Sequence, residues 1–143
     1  MTLNRRQFLA AGAALGATAS IAAPTSPLPF LIQMQSDPLL PKAKGKRVVI
    51  CGGGWGGVTA AKHLRLLDPT LEVVLLERNP VFFSCPMSNK WLVDVVDAQF
   101  LTFSYLDVAQ KYDYHYIQTE VTAFEREKKR VITAQGWLDY DYL

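Results

Sequence analysis

Five of the nine glycines fall within six consecutive positions, Gly52-Gly53-Gly54-Trp55-Gly56-Gly57. Gly52, Gly54 and Gly57 satisfy the spacing G-x-G-x-x-G. Glycines so placed do phosphate chemistry through the backbone. Gly52 permits a tight turn, Gly54 lets the main chain approach a pyrophosphate with no Cβ in the way, and Gly57 lets a helix pack close to a strand. Glu77 stands 20 residues beyond Gly57, where an acid accepts hydrogen bonds from ribose hydroxyls. An acid there also repels a 2′-phosphate, which favours FAD or NAD over NADP. Gly53, Trp55 and Gly56 complete the loop, and Arg78 adjoins the acid, so these join the candidate binding set.

Such a loop works only between a strand and a helix. Arg47-Val48-Val49-Ile50-Cys51 is a short apolar, β-branched run that fits a buried parallel strand. Val58 to Leu67 carries a helical pattern, which Asp68-Pro69 ends. Helix N–H groups and the positive dipole end then face the phosphates. A second strand, Glu72-Val73-Val74-Leu75-Leu76, closes on Glu77. Tyr114 to Ile117 reads as a third parallel strand. Val121–Phe124, Arg130–Thr133 and Leu138–Tyr142 read as a β-meander. The expected fold is therefore α/β, a Rossmann-like dinucleotide-binding domain with a parallel sheet and a meander.

The 143 residues suffice for one globular core. Fifteen Lys and Arg face 13 Asp and Glu, and without Arg5 and Arg6 the count balances. That argues against an electrostatic binder of nucleic acid. Arg126 to Arg130 reads as a solvated turn. Cys51 and Cys85 make no disulfide framework, although a bridge between them stays open. His63 and His115 have no motif around them, and no metal site is expected. Cys51, under the loop, is expected to be a small buried residue. Trp55 either covers the helix N-terminus or faces solvent.

Residues 1–22 read as a targeting segment. Arg5-Arg6 precedes Gln7-Phe8-Leu9, an Ala-rich stretch runs to about Ala22, and small residues at Ala17 and Ala19, or Ser20 and Ala22, offer cleavage sites. The segment resembles a twin-arginine signal. The resemblance implies export of the folded protein to the periplasm with its cofactor loaded, and no transmembrane span once the signal is removed. Residues 23–45 hold five of the eight prolines and read as an extended linker. The domain is expected over 46–143.

Phe82-Phe83-Ser84-Cys85-Pro86-Met87-Ser88-Asn89, following the glycine fingerprint and Glu77, resembles the flavoprotein subunit of flavocytochrome c sulfide dehydrogenase. The resemblance covers 46–143. It implies FAD as cofactor, with Cys85 as the covalent attachment point. It further implies sulfide as the small-molecule substrate and a c-type cytochrome subunit as partner. In the wider disulfide-reductase-like flavoproteins a backbone group near Val121 meets the adenine. The family's sulfur-handling cysteines and second dinucleotide domain have no counterpart here. The chain is therefore expected to be an N-terminal fragment, incomplete at its C-terminus, with no catalytic residue of its own and no activity alone. Pro86 is expected to open a helix through Trp91 and Leu92, placing Cys85 at its N-terminus. A sulfide:quinone reductase, a type II NADH dehydrogenase-like flavoenzyme and a non-catalytic FAD-binding module remain the alternatives.

Overall fold

The computed structural model describes residues 37–143; the leader and most of the linker lie outside the described residues. β1 (Arg47–Cys51), β2 (Glu72–Glu77) and β5 (His115–Gln118) form a parallel sheet in the order β1-β2-β5. α1 (Trp55–Leu67) joins the first two strands, and α3 (Tyr105–Tyr112) precedes the third. β6 (Val121–Glu125), β7 (Arg130–Thr133) and β8 (Gly136–Asp139) form an antiparallel meander. The expected α/β fold is present.

Period-two alternation along β2 assigns its faces. Val73 and Leu75 pack with Ala61 of α1 and with Tyr105 and Ala109 of α3. Val74 and Leu76 pack with Val49, Val131 and Leu138, against the meander. Covered on both sides, β2 is an unbroken apolar run between its two terminal glutamates. The backbone N–H of Asp68 closes the end of α1 on the Leu64 carbonyl at 2.9 Å.

Several details differ from the sequence reading. The end of the linker is docked: Pro38 bridges Trp137, and Leu39 and Leu40 pack against the second cluster. Arg47, inside the apolar run, is a buried cation, 1% exposed, bonded to Glu72, Asp139 and the Pro41 carbonyl. The third meander strand ends at Asp139. The next residues leave it for β1, where Val49 N–H donates to the Tyr142 carbonyl at 3.0 Å. β3 (Val81–Phe83) pairs antiparallel with β4 (Thr102–Ser104), a small sheet with no counterpart in the sequence reading.

α2 is shorter than expected, Ser88–Leu92. Pro86 and Met87 form a turn in which Ser88 N–H donates to the Cys85 carbonyl at 3.1 Å. Met87 is left-handed at φ 69°, so the helix cannot begin before it. Cys85 consequently does not sit at a helix N-terminus. No helix among the described residues is long and apolar enough to cross a membrane.

Candidate functional site: the glycine loop and its two clefts

β1 hands the chain to the loop through Gly52, whose φ of +105° suits only glycine. Its N–H still pairs with Leu76 O at 2.8 Å. Gly54 is the N-cap of α1 and carries no side chain to satisfy the first-turn N–H groups. Added Cβ atoms at Gly54 or Gly56 would meet nothing within 4 Å. At Gly57 a Cβ would stand 1.9 Å from the Gly52 carbonyl oxygen. The fingerprint thus divides in two. Gly52 and Gly57 serve the turn and the close packing, while Gly54 and Gly56 leave the helix N-terminus open to an anion.

Glu77 ends β2 directly beneath the loop. Its Oε2 accepts from Gly53 N–H at 2.7 Å, and its Oε1 accepts from Asn79 N–H at 2.8 Å and Asn79 Nδ2 at 2.7 Å. Burial pushes its pKa up, but those hydrogen bonds and the nearby Arg78 charge outweigh burial and hold it below the ordinary glutamate value. A charged acceptor therefore stands at the strand end at neutral pH.

Two clefts meet at Glu77. One, of about 320 Å³, lies over the C-terminal ends of the parallel strands, between Cys51, Gly52, Arg78, Thr119 and Val121. The other, of about 520 Å³, runs past Gly54, Asn79, Phe82, Phe83 and Tyr105. Ligands of open α/β sheets bind at the carboxyl ends of strands. Thr119, at the first cleft's wall, is 5% exposed, and its hydroxyl has no hydrogen-bond partner. A buried orphan of this kind is what a ligand hydrogen bond would satisfy. The open loop, the charged Glu77 and this hydroxyl fit the ADP half of a dinucleotide.

The site brings together Gly52, Gly53, Gly54, Gly56, Gly57, Glu77, Arg78 and Val121. Arg78 is exposed and pairs with Glu120 at 4.0 Å. Trp55 turns sideways, its ring edge-on to Phe82 at 5.1 Å, and stays 56% exposed. Cys85 is exposed and lines neither cleft. Cys51 corrects the expectation of a buried residue. It is exposed at the first cleft, where partial burial raises the thiol's pKa. Both cysteines are free, so no bridge joins them. His63 bonds the Thr59 carbonyl and His115 is exposed. No cluster of metal ligands occurs among the described residues.

Tyr105 and Tyr116 were not legible as site residues. Tyr105 O–H donates to the Gly53 carbonyl at 2.9 Å, its ring stacked on Tyr116 at 5.2 Å between centroids. Tyr116 O–H donates to the Asn79 carbonyl at 2.9 Å. The available signal was Ser104-x-x-Asp107, a helix-start pattern, which places Tyr105 at the first helical position.

Residues 46–143 match the family model of the pyridine nucleotide-disulphide oxidoreductases. The chain belongs to that family. Its domain is a Rossmann-like FAD-binding fold. Among its relatives is the flavoprotein chain of sulfide dehydrogenase [flavocytochrome c] from Chlorobaculum thiosulfatiphilum, 54% identical over 44 residues, which are 31% of this chain and 92% of that one. A type II NADH:quinone oxidoreductase of Staphylococcus aureus is 25% identical over 100 residues, 68% of this chain and 25% of that protein. The sulfide:quinone oxidoreductase structure from Aquifex aeolicus superposes with a TM-score of 0.65 at 26% identity, over 69% of this chain and 23% of that one. The chain thus spans about a quarter of the length of those two quinone-linked relatives.

Proposed function

We propose that residues 46–143 are the opening, ADP-binding section of an exported flavoprotein that oxidises sulfide and passes the electrons to a c-type cytochrome. The observation that carries this reading is the 54% identity over 44 residues with a sulfide dehydrogenase flavoprotein chain. The segment Phe82 to Asn89 supports it, as does the Arg5-Arg6 leader, which suits a protein that loads its cofactor before export. When bound, FAD supplies the two-electron redox chemistry. The chain's own residues hold and orient it. The loop N–H groups and the α1 dipole take the pyrophosphate. Glu77 accepts from ribose, and the edge of β6 at Val121 lies beside the adenine. Cys85, exposed and free, is the residue proposed to attach the flavin.

A quinone as acceptor is the second reading, favoured by the longer, weaker matches to two quinone-linked enzymes. The test is sulfide-dependent turnover of the purified polypeptide that carries this sequence, with a c-type cytochrome or a soluble quinone as acceptor. Faster reduction of the cytochrome is expected. Reduction of quinone alone would replace the first reading with the second.

A further inference from the structure

The buried tyrosine under the glycine loop has no place in the fingerprint, yet it touches the loop at its centre. Gly53 is held from two sides. Its N–H is bound by Glu77 at 2.7 Å and its C=O by the Tyr105 hydroxyl at 2.9 Å. The ring of Tyr105 also occupies the space beside Gly53, where an added Cβ would lie 2.6 Å from a ring carbon. Tyr105 is 4% exposed, wedged between Tyr116 and Phe82, so its hydroxyl cannot swing away.

No peptide bond among the described residues is cis. Fixing the Gly53 carbonyl therefore fixes the N–H of Gly54, which lies in the same plane and points the opposite way. Gly54 is the residue whose approach side is open and whose N–H is one of the loop's donors. A glycine-rich loop has wide conformational freedom, and a free loop would have to lose it on binding. Holding one peptide plane in advance lowers that cost.

We propose that Tyr105 is a positioning residue for the pyrophosphate, acting through the Gly53–Gly54 peptide of the loop. This rests on the dinucleotide reading of the site. Burial, with the nearby Glu77 charge added, pushes the phenol's pKa up to about 12, so Tyr105 remains a donor throughout the range in which the protein would work.

The test uses the full polypeptide carrying Cys85→Ser, so that the flavin can be removed, with and without Tyr105→Phe. ADP and adenosine are titrated separately and followed by NMR. Loss of one neutral hydrogen bond that acts only through the phosphate loop should weaken ADP about fivefold and leave adenosine unchanged. Unchanged ADP affinity in Tyr105→Phe would overturn the proposal, as would an equal loss for both ligands, which would mark a purely structural role. If the parent binds neither ligand, the dinucleotide reading itself fails and this proposal with it. Should flavin-free Tyr105→Phe not fold, the phosphorus NMR spectrum of the flavin-loaded protein decides. Displaced pyrophosphate resonances support the role of Tyr105, and resonances at the parent positions refute it.

Discussion

Replacing Gly57 with alanine should damage the fold, whereas the same replacement at Gly54 should damage only binding. The Gly57 methyl would sit 1.9 Å from the Gly52 carbonyl oxygen, where ordinary contact begins at 3.4 Å. The obstacle is backbone, held in a turn that Gly52 alone can make. Relief requires α1 to retreat from the sheet by about 1.5 Å, which opens the contacts of Ala61 with Val73 and Leu75. Overpacking of this severity costs about 3 kcal/mol, or about 6–12 °C in Tm for a protein of 150–250 residues. Gly54 has φ −66° and ψ −177°, extended backbone open to any residue, and its added methyl meets nothing. Its cost is that of alanine at a helix N-cap, below about 1 kcal/mol. Bound flavin should nevertheless weaken at least about tenfold, or 1.4 kcal/mol. The assay, run in a Cys85→Ser background so that the flavin can be removed, is thermal unfolding of the flavin-free polypeptide alongside its titration with FAD. A Gly57→Ala protein melting with the parent would refute the packing argument. A Gly54→Ala protein that binds FAD as tightly as the parent would refute the placement of the pyrophosphate.

Four further outcomes are expected. Replacing Arg5 and Arg6 with lysine should leave the precursor in the cytoplasm, read by cell fractionation; unchanged export would exclude the twin-arginine route. Cys85→Ser should release all flavin on acid denaturation where the parent retains it on the Cys85 peptide, and a parent peptide of unmodified mass would exclude the covalent link. Arg47→Met should destabilise by about 1 kcal/mol, because the buried guanidinium's bonds to Glu72, Asp139 and the Pro41 carbonyl are lost while the two acids keep contact with solvent; denaturant midpoints check this, and an unchanged midpoint would contradict it. Glu77 has a depressed pKa in the folded state, so its contribution is complete above the ordinary glutamate value of about 4.3 and is lost as pH falls through the lower folded value. From neutrality down to about 4.3 Glu77→Gln should leave the slope of stability against pH unchanged, and between about 4.3 and the lower folded value it should flatten it; urea midpoints across pH check this, and a variant profile as steep as the parent's there would contradict it.

The strand–loop–helix–strand unit was legible because each part carries its own physical signature. β2 is continuous apolar sequence since both its faces are covered, and the glycines mark a turn, a close approach and an open face. Misreadings arose where tertiary position overrides local type. Cys51 points to the same side as Val49, toward the meander, but the strand has by then run past its cover and the thiol opens into the cleft. Pro86 favours a first helical position, yet the left-handed Met87 delays the helix. Arg47 is concealed in an apolar run because its partners Glu72 and Asp139 are remote in sequence. The three-residue strands of the β3–β4 pair are too short for periodicity to register, and Tyr105 follows directly from them. Its role depends on a contact with Gly53, 52 positions away.

The proposed function requires that the glycine loop serve a flavin whose electrons come from sulfide. Anaerobic titration with sulfide of the purified full-length polypeptide that carries this sequence, followed at the flavin absorbance band, distinguishes sulfide from NADH as the donor. A yellow protein is expected, its flavin band bleached by sulfide and unaffected by NADH. A colourless protein, or a flavin reduced by NADH and indifferent to sulfide, would contradict it.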